Sequence, residues 1–215
     1  MDGILIVNKP ENCTSRDVVN MVGKMLNVKR IGHTGTLDPL AKGVLVLCIG
    51  KATKMVEMLT CDEKEYIASV TLGIKTDTLD CTGSVIEKRN VDLTQEQIVN
   101  VLNSMVGTYS QEVPIYSAVK INGKKLYEYA RKNISVELPK RNVNIKQIQL
   151  LDEIKCLDGK IIFKFKCLVS KGTYIRSLIN DIAEKLGTIG VMSDLIRIKQ
   201  GKFSIENSYK IEEIK

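Results

Sequence analysis

Apolar residues recur with helical spacing in three stretches of the chain. Over residues 94–107, Ile98, Val101, Leu102, Met105 and Val106 fall at i, i+3, i+4, i+7 and i+8, on one face of a helix. Thr94 and Gln97 stand at capping-box spacing ahead of them, and Gly107 is placed to stop the helix. Ile175, Leu178, Ile179, Ile182, Ala183 and Leu186 repeat the pattern up to Gly187, and Val18, Val22, Met25 and Leu26 predict a third helix over 15–26. A period of two marks strands instead. Tyr66, Ala68, Val70 and Leu72 alternate with Ile67, Ser69 and Thr71, and Phe163, Phe165, Cys167 and Val169 alternate with Ile162, Lys164, Lys166 and Leu168. Residues 44–49 are continuously apolar, as suits a central strand buried on both faces. Helices and strands do not alternate regularly, so the expected class is α+β with a mixed sheet, in one domain spanning 1–215.

Composition adds a partner class. The 215 residues are 44% hydrophobic and 27% charged, ordinary globular values, and 32 Lys+Arg against 25 Asp+Glu leave a net charge of +7. An anionic partner follows. The excess is local: residues 116–141 hold Lys120, Lys124, Lys125, Arg131, Lys132, Lys140 and Arg141 against Glu128 and Glu137. Tyr116, Tyr127 and Tyr129 are interleaved, placing rings for base stacking beside cations for phosphates. A solvated, solubilising helix has the same composition, so this segment alone leaves both readings open.

Other classes drop out. The six cysteines (Cys13, Cys48, Cys61, Cys81, Cys156, Cys167) form no C-x-x-C pair and the one histidine is His33, so no paired metal-ligand spacing exists and no metal is expected. The N-terminal apolar run, residues 4–7, is far shorter than a signal-peptide core or a membrane span of ~20 residues. A soluble cytoplasmic protein with free thiols and no membrane association is expected.

Candidate chemistry lies just ahead of the apolar strand. Residues 32–43, GHTGTLDPLAKG, hold three glycines and a proline and are expected to form a shaped loop feeding the sheet. The loop carries one carboxylate, Asp38, and one imidazole, His33. Asp before Pro is also a routine turn former and a lone histidine a routine polar group, so residue type does not decide. P-loop, dinucleotide and nucleophile-elbow motifs are absent.

The run GHTGTLDPLAKGVLVLCIGKATK at 32–54 resembles the catalytic motif of the bacterial TruB-type pseudouridine synthases, which modify the T-loop uridine (position 55) of tRNA. Further blocks are similar to the family in its own order: Lys9-Pro10, Lys64-Glu65-Tyr66, Thr76-Asp77-Thr78 with Asp80, 116–120, 123–131 and 170–176. The resemblance implies the pseudouridine synthase fold, a largely antiparallel central sheet flanked by helices, with a basic RNA-clamping insert at about 112–142. It implies a uracil detached at N1 and rejoined to the ribose at C5, with no cofactor. By the same resemblance, Asp38 matches the catalytic aspartate, and Arg176 the arginine that pairs with it. Tyr66 matches the tyrosine that stacks on the base. Tyr174 and Leu195 match positions lining the uracil pocket, and His33 the histidine that enters the T loop. Asp80 and Lys54 also match family positions, but an ionic or capping role serves them equally well. The implied partner is tRNA through its T arm, with no obligate protein partner. Family members commonly continue into a small RNA-binding PUA domain. The sequence stops at Lys215, so a catalytic core without one is expected. The alternative from another class is a non-catalytic tRNA chaperone using the same cleft.

Overall fold

The structure, a computed structural model, describes residues 1–214. The chain divides into two units, Met1–Ile67 with Lys166–Lys171 and Asp194–Lys215, and Ala68–Phe165 with Gly172–Ser193. The first opens with β1 (Gly3–Lys9), α1 (Ser15–Met25), β2 (Ile31–His33), β3 (Lys42–Ile49) and α2 (Val56–Thr60). Strand β4 (Lys64–Leu72) leads out of it. The second holds β5 (Ile74–Thr76), β6 (Val85–Lys88), α3 (Gln95–Ser104), β7 (Gly107–Glu112), β8 (Lys120–Ile121), β9 (Lys124–Lys125) and α4 (Leu126–Arg131). It continues through β10 (Lys140–Leu150), β11 (Lys155–Leu157) and α5 (Ile175–Lys185); β12 (Lys160–Val169) and β13 (Gly190–Gln200) each begin in the second unit and end in the first, where β14 (Phe203–Ser204) follows. The class is the expected α+β, with a mixed, largely antiparallel sheet flanked by helices.

In the first unit β3 is the centre. One edge pairs antiparallel with β1 over its whole length, from Gly3 opposite Ile49 to Lys9 opposite Gly43. The other edge is shared: β2 pairs antiparallel with its C-terminal end, while β13 runs parallel to its start with Ile196 opposite Lys42. Leu45 and Leu47 cluster with Val7 and with Val18, Val19 and Val22 of α1; Val44, Val46 and Cys48 cluster with Leu59 and Phe203. The continuous apolar run therefore has both faces covered, as expected. Gly43 is required where β3 begins: its φ is +102°, and a Cβ there would collide with the backbone of Arg197 on the paired strand. Helix α1 starts as expected but is capped one residue earlier, by a reciprocal Thr14–Asp17 box. Its face is rotated from the expected one: Val19 is buried, whereas Met25 is exposed.

In the second unit β10 pairs antiparallel with β7, Lys140 opposite Glu112, and α3 packs on β10 and α5. The Thr94–Gln97 box forms as expected, but α3 ends at Ser104, leaving Val106 exposed; Gly107, at φ +118°, opens β7 instead of closing the helix. Helix α5 buries Ile175, Leu178, Ile179, Ile182 and Ala183 as the spacing requires. Between β7 and β10 the basic segment forms a hairpin of β8 and β9, turned at Asn122 and Gly123 with both φ positive, followed by α4.

Candidate active site

The expected loop is shorter than its sequence suggests, because Gly32 and His33 pair with Cys48 and Leu47 as part of β2. The irregular segment is 34–41, and Thr34, Gly35, Leu37, Pro39 and Ala41 are each fastened from outside it. Thr34 N–H donates to Val46 O (3.1 Å), and Gln200 Nε2 donates to Thr34 Oγ1 (2.6 Å). Arg197 Nη2 donates to Gly35 O (3.0 Å) and its Nε to Val44 O (2.7 Å). Ser15, at the start of α1, accepts from Leu37 N–H (2.9 Å) and donates to Leu37 O (3.2 Å). Lys9 Nζ donates to Ala41 O (2.6 Å), Pro10 O (2.8 Å) and Pro39 O (3.3 Å). Asp38, half-buried, is thus carried at the crest of a segment clamped on both sides.

The clamps are themselves charged and buried. Lys9 and Arg197 are essentially inaccessible, and Lys64 donates to Thr60 O and Asp62 O from a buried position at the head of β4. Burial pushes Lys9 below the usual lysine value, with Cys13 and Asp38 acting in the opposite sense. Burial and then Arg197 bring Lys64 down to about 8. Backbone carbonyls satisfy the donors of these cations without cancelling their charge, so the loop rests on a positive floor. His33 is held below its ordinary value by burial and then by Arg16 and Arg197, which makes it neutral at pH 7. Tyr66 on β4 and Leu195 on β13 are both buried, at 7% and 5% exposure. His33, Asp38, Tyr66 and Leu195 all belong to the first unit; Tyr174 and Arg176 belong to the second.

In the second unit Arg176, on the first turn of α5, is 4% exposed. Its Nη1 and Nη2 donate to Thr78 O and Tyr116 O, each at 2.9 Å, and its Nε stands 3.9 Å from Asp80 Oδ2. Asp80 Oδ1 accepts from Thr78 Oγ1 (2.8 Å), Thr82 N–H (3.0 Å) and Thr82 Oγ1 (2.5 Å). Leu79, between Thr78 and Asp80, has φ +62°, and this left-handed residue lets the Thr78 carbonyl and the Asp80 carboxylate both serve the guanidinium. Asp80, whose role the residue pattern left undecided, is therefore a carboxylate partner of Arg176. Lys54 is exposed in the 3-10 turn Gly50–Met55. Tyr174 is half-buried at the N-cap of α5, its backbone held by Gln111, a residue no motif singled out.

The basic segment differs from expectation in one respect. Lys120, Lys124, Arg131, Lys132, Lys140 and Arg141 are exposed, but the Tyr127 ring already has Arg131 Cζ at 5.2 Å and Lys125 Nζ at 5.4 Å, and Tyr129 donates to Ile121 O. These two rings hold the segment together.

Among the described residues no cluster of metal-binding side chains occurs, no helix is long and apolar enough to cross a membrane, and none of the six cysteines is in a disulfide.

The model of the TruB family pseudouridylate synthase N-terminal domain matches residues 23–175. The chain is 48% identical over 217 residues to tRNA pseudouridine synthase B of Geobacillus thermodenitrificans, covering all of this chain and 72% of the relative. It is 47% identical over 216 residues to the Bacillus subtilis protein of the same name, covering 70% of it. Among solved structures it is similar to a chain of a Cbf5–Nop10–Gar1 complex, with TM-score 0.73 and 30% identity over 98% of this chain and 52% of that one. It is also similar to a chain of an H/ACA RNP bound to a substrate RNA containing 2′-deoxyuridine, with TM-score 0.70 and 27% identity, covering 51% of that chain.

Proposed function

The chain belongs to the TruB family of pseudouridylate synthases, and from that we propose that it isomerises uridine to pseudouridine at position 55 in the T loop of tRNA, with Asp38 as the nucleophile. The N1–C1′ bond breaks and a C5–C1′ bond forms; the C5 hydrogen leaves as a proton and N1 takes one up, so the atoms balance with no external reagent. Such a step needs a group that bonds covalently, to C6 of the ring or C1′ of the sugar, and then departs, which a carboxylate does on either route. The observation that carries the assignment is the clamping of segment 34–41 by Lys9, Ser15, Arg197 and Gln200 around Asp38. A nucleophile fixed this way needs little reorganisation to reach its reacting atom.

The other roles follow the family pattern. Tyr66 stacks on the base, Tyr174 and Leu195 line its pocket, Arg176 supplies the guanidinium, and neutral His33 enters the T loop. The exposed cations of 116–141 meet phosphates and orient the T arm. No further protein subunit is assigned, a reading supported by the match of Asp38-Pro39-Leu40-Ala41 to the stand-alone branch.

Nucleoside analysis of unmodified tRNA after incubation with the protein tests the activity. Pseudouridine is expected to replace one uridine; tight binding with uridine unchanged would favour a chaperone instead.

A further inference from the structure

We propose that Gln111 is a positioning residue for uridine isomerisation, an inference that rests on the activity proposed above. Its carboxamide fixes the backbone of residue 174 and so sets where the first turn of α5 presents Tyr174 and Arg176. Tyr174 occupies the N-cap of α5 without a side-chain cap of its own. Gln111 supplies the missing fixation from β7. Its Oε1 accepts from Tyr174 N–H at 2.8 Å, and its Nε2 donates to Tyr174 O at 3.2 Å, so one planar group grips both polar atoms of a single residue.

The sense of that grip is set by a relay. Gln111 Nε2 also donates to Tyr109 Oη at 2.7 Å, and Tyr109 donates its proton to Asp181 Oδ2 at 2.8 Å. Because the Asp181 carboxylate accepts the phenol's hydrogen bond, the Tyr109 oxygen is left to accept from Gln111, which decides which end of the amide faces which partner. Tyr109 and Gln111 are two apart on β7 and share one of its faces, while residues 174 and 181 both belong to the α5 region. The relay therefore spans from the start of the helix to its middle. Gln111 is 1% exposed. A buried glutamine whose donors and acceptor are all engaged specifies one orientation, where an apolar residue of equal volume would only fill space.

The link to chemistry is the turn it holds. Arg176 lies two residues beyond Tyr174 and reaches Thr78 O, Tyr116 O and Asp80 from that turn. Loosening residue 174 lets both side chains drift, and a shift approaching 1 Å at such groups costs up to about a hundredfold in rate.

Gln111→Met keeps the length and volume of the side chain and removes its hydrogen bonds. Single-turnover conversion of T-arm RNA is expected to fall about tenfold or more, with RNA affinity within about threefold of wild type. Ile98→Val, a core change on α3 that also lowers stability, is expected to convert RNA at the wild-type rate, separating positioning from destabilisation. If Gln111→Met does not fold, Tyr109→Phe, which removes only the relay hydroxyl, is expected to lose about threefold or more in the same rate. An active wild type with Gln111→Met, or with Tyr109→Phe in its place, within about twofold of it overturns this inference alone. A wild type with no turnover overturns the activity and this inference with it.

Discussion

The Nε of Arg176 stands 3.9 Å from Oδ2 of Asp80, while Oδ1 of the same carboxylate accepts three hydrogen bonds from Thr78 and Thr82. One oxygen holds the loop together and the other faces the guanidinium. Asp80→Asn keeps an acceptor for Thr82 but removes this negative charge from beside the buried Arg176. We expect a loss of about 3 kcal/mol, the lower end for breaking a buried pair given its length, read as a fall in the urea midpoint. Thr82→Ala, which removes one donor, should cost only about 1 kcal/mol.

Lys9 has three backbone carbonyls around its ammonium and no access to solvent. Lys9→Met fills the volume but leaves those carbonyls without their donor. A destabilisation of about 2–3 kcal/mol is expected. Activity should fall as well, because the strongest of these bonds ends at Ala41, three residues from Asp38. Unchanged urea midpoints for wild type and variant would refute the clamp.

Lys64 gives a signature in alkali. Its folded value is about 8 against 10.5 for a free lysine, so between those limits the unfolded chain binds more protons than the folded one. Stability from this group therefore rises with pH from about 8 to 10.5, and below 8 it is a constant penalty. Cys167 acts oppositely: burial raises it from 9.0 to about 12, so above 9 the unfolded chain loses a proton that the folded chain keeps. Tyr109, raised by burial and by Asp181, adds to that loss. The difference between wild type and Lys64→Met isolates the lysine. Their urea midpoints should diverge, in favour of wild type, as pH rises through 8 to 10; parallel curves would contradict the burial of this cation.

The exposed cations of 116–141 predict salt-sensitive RNA binding. Engagement of about five phosphates gives a log–log slope of very roughly −4, and Lys124→Ala with Lys132→Ala should reduce it by about 1.5–2. Equal slopes for wild type and double variant would remove this segment from the interface.

What the sequence made legible was local. The Thr94–Gln97 box, the buried stripe of α5 and the two-faced burial of β3 depend on neighbours a few residues apart, and each formed where the spacing put it. Where distant partners compete, the pattern misled or was silent. Ser15 reads as a helix start, but its hydroxyl serves Leu37, 22 residues away, and Thr14 caps the helix instead. Val106 continues a helical period that β7 interrupts. Asp80 could not be assigned because its partner lies on another element, and nothing in the alternation of β7 distinguishes Gln111 from any polar strand residue. Lys and Arg are residue types that mostly stay exposed, and only the packing of the carbonyls of segment 34–44 explains the burial of Lys9 and Arg197.

The central claim is that Asp38 performs the isomerisation of a T-loop uridine. Joining the sugar to C5 expels the hydrogen there, so T-arm RNA tritiated at uridine C5 reports the reaction itself. The protein should release that label to water, and Asp38→Asn should release none while binding the RNA within about threefold of wild type. Release by Asp38→Asn at a rate near that of wild type would contradict the assignment.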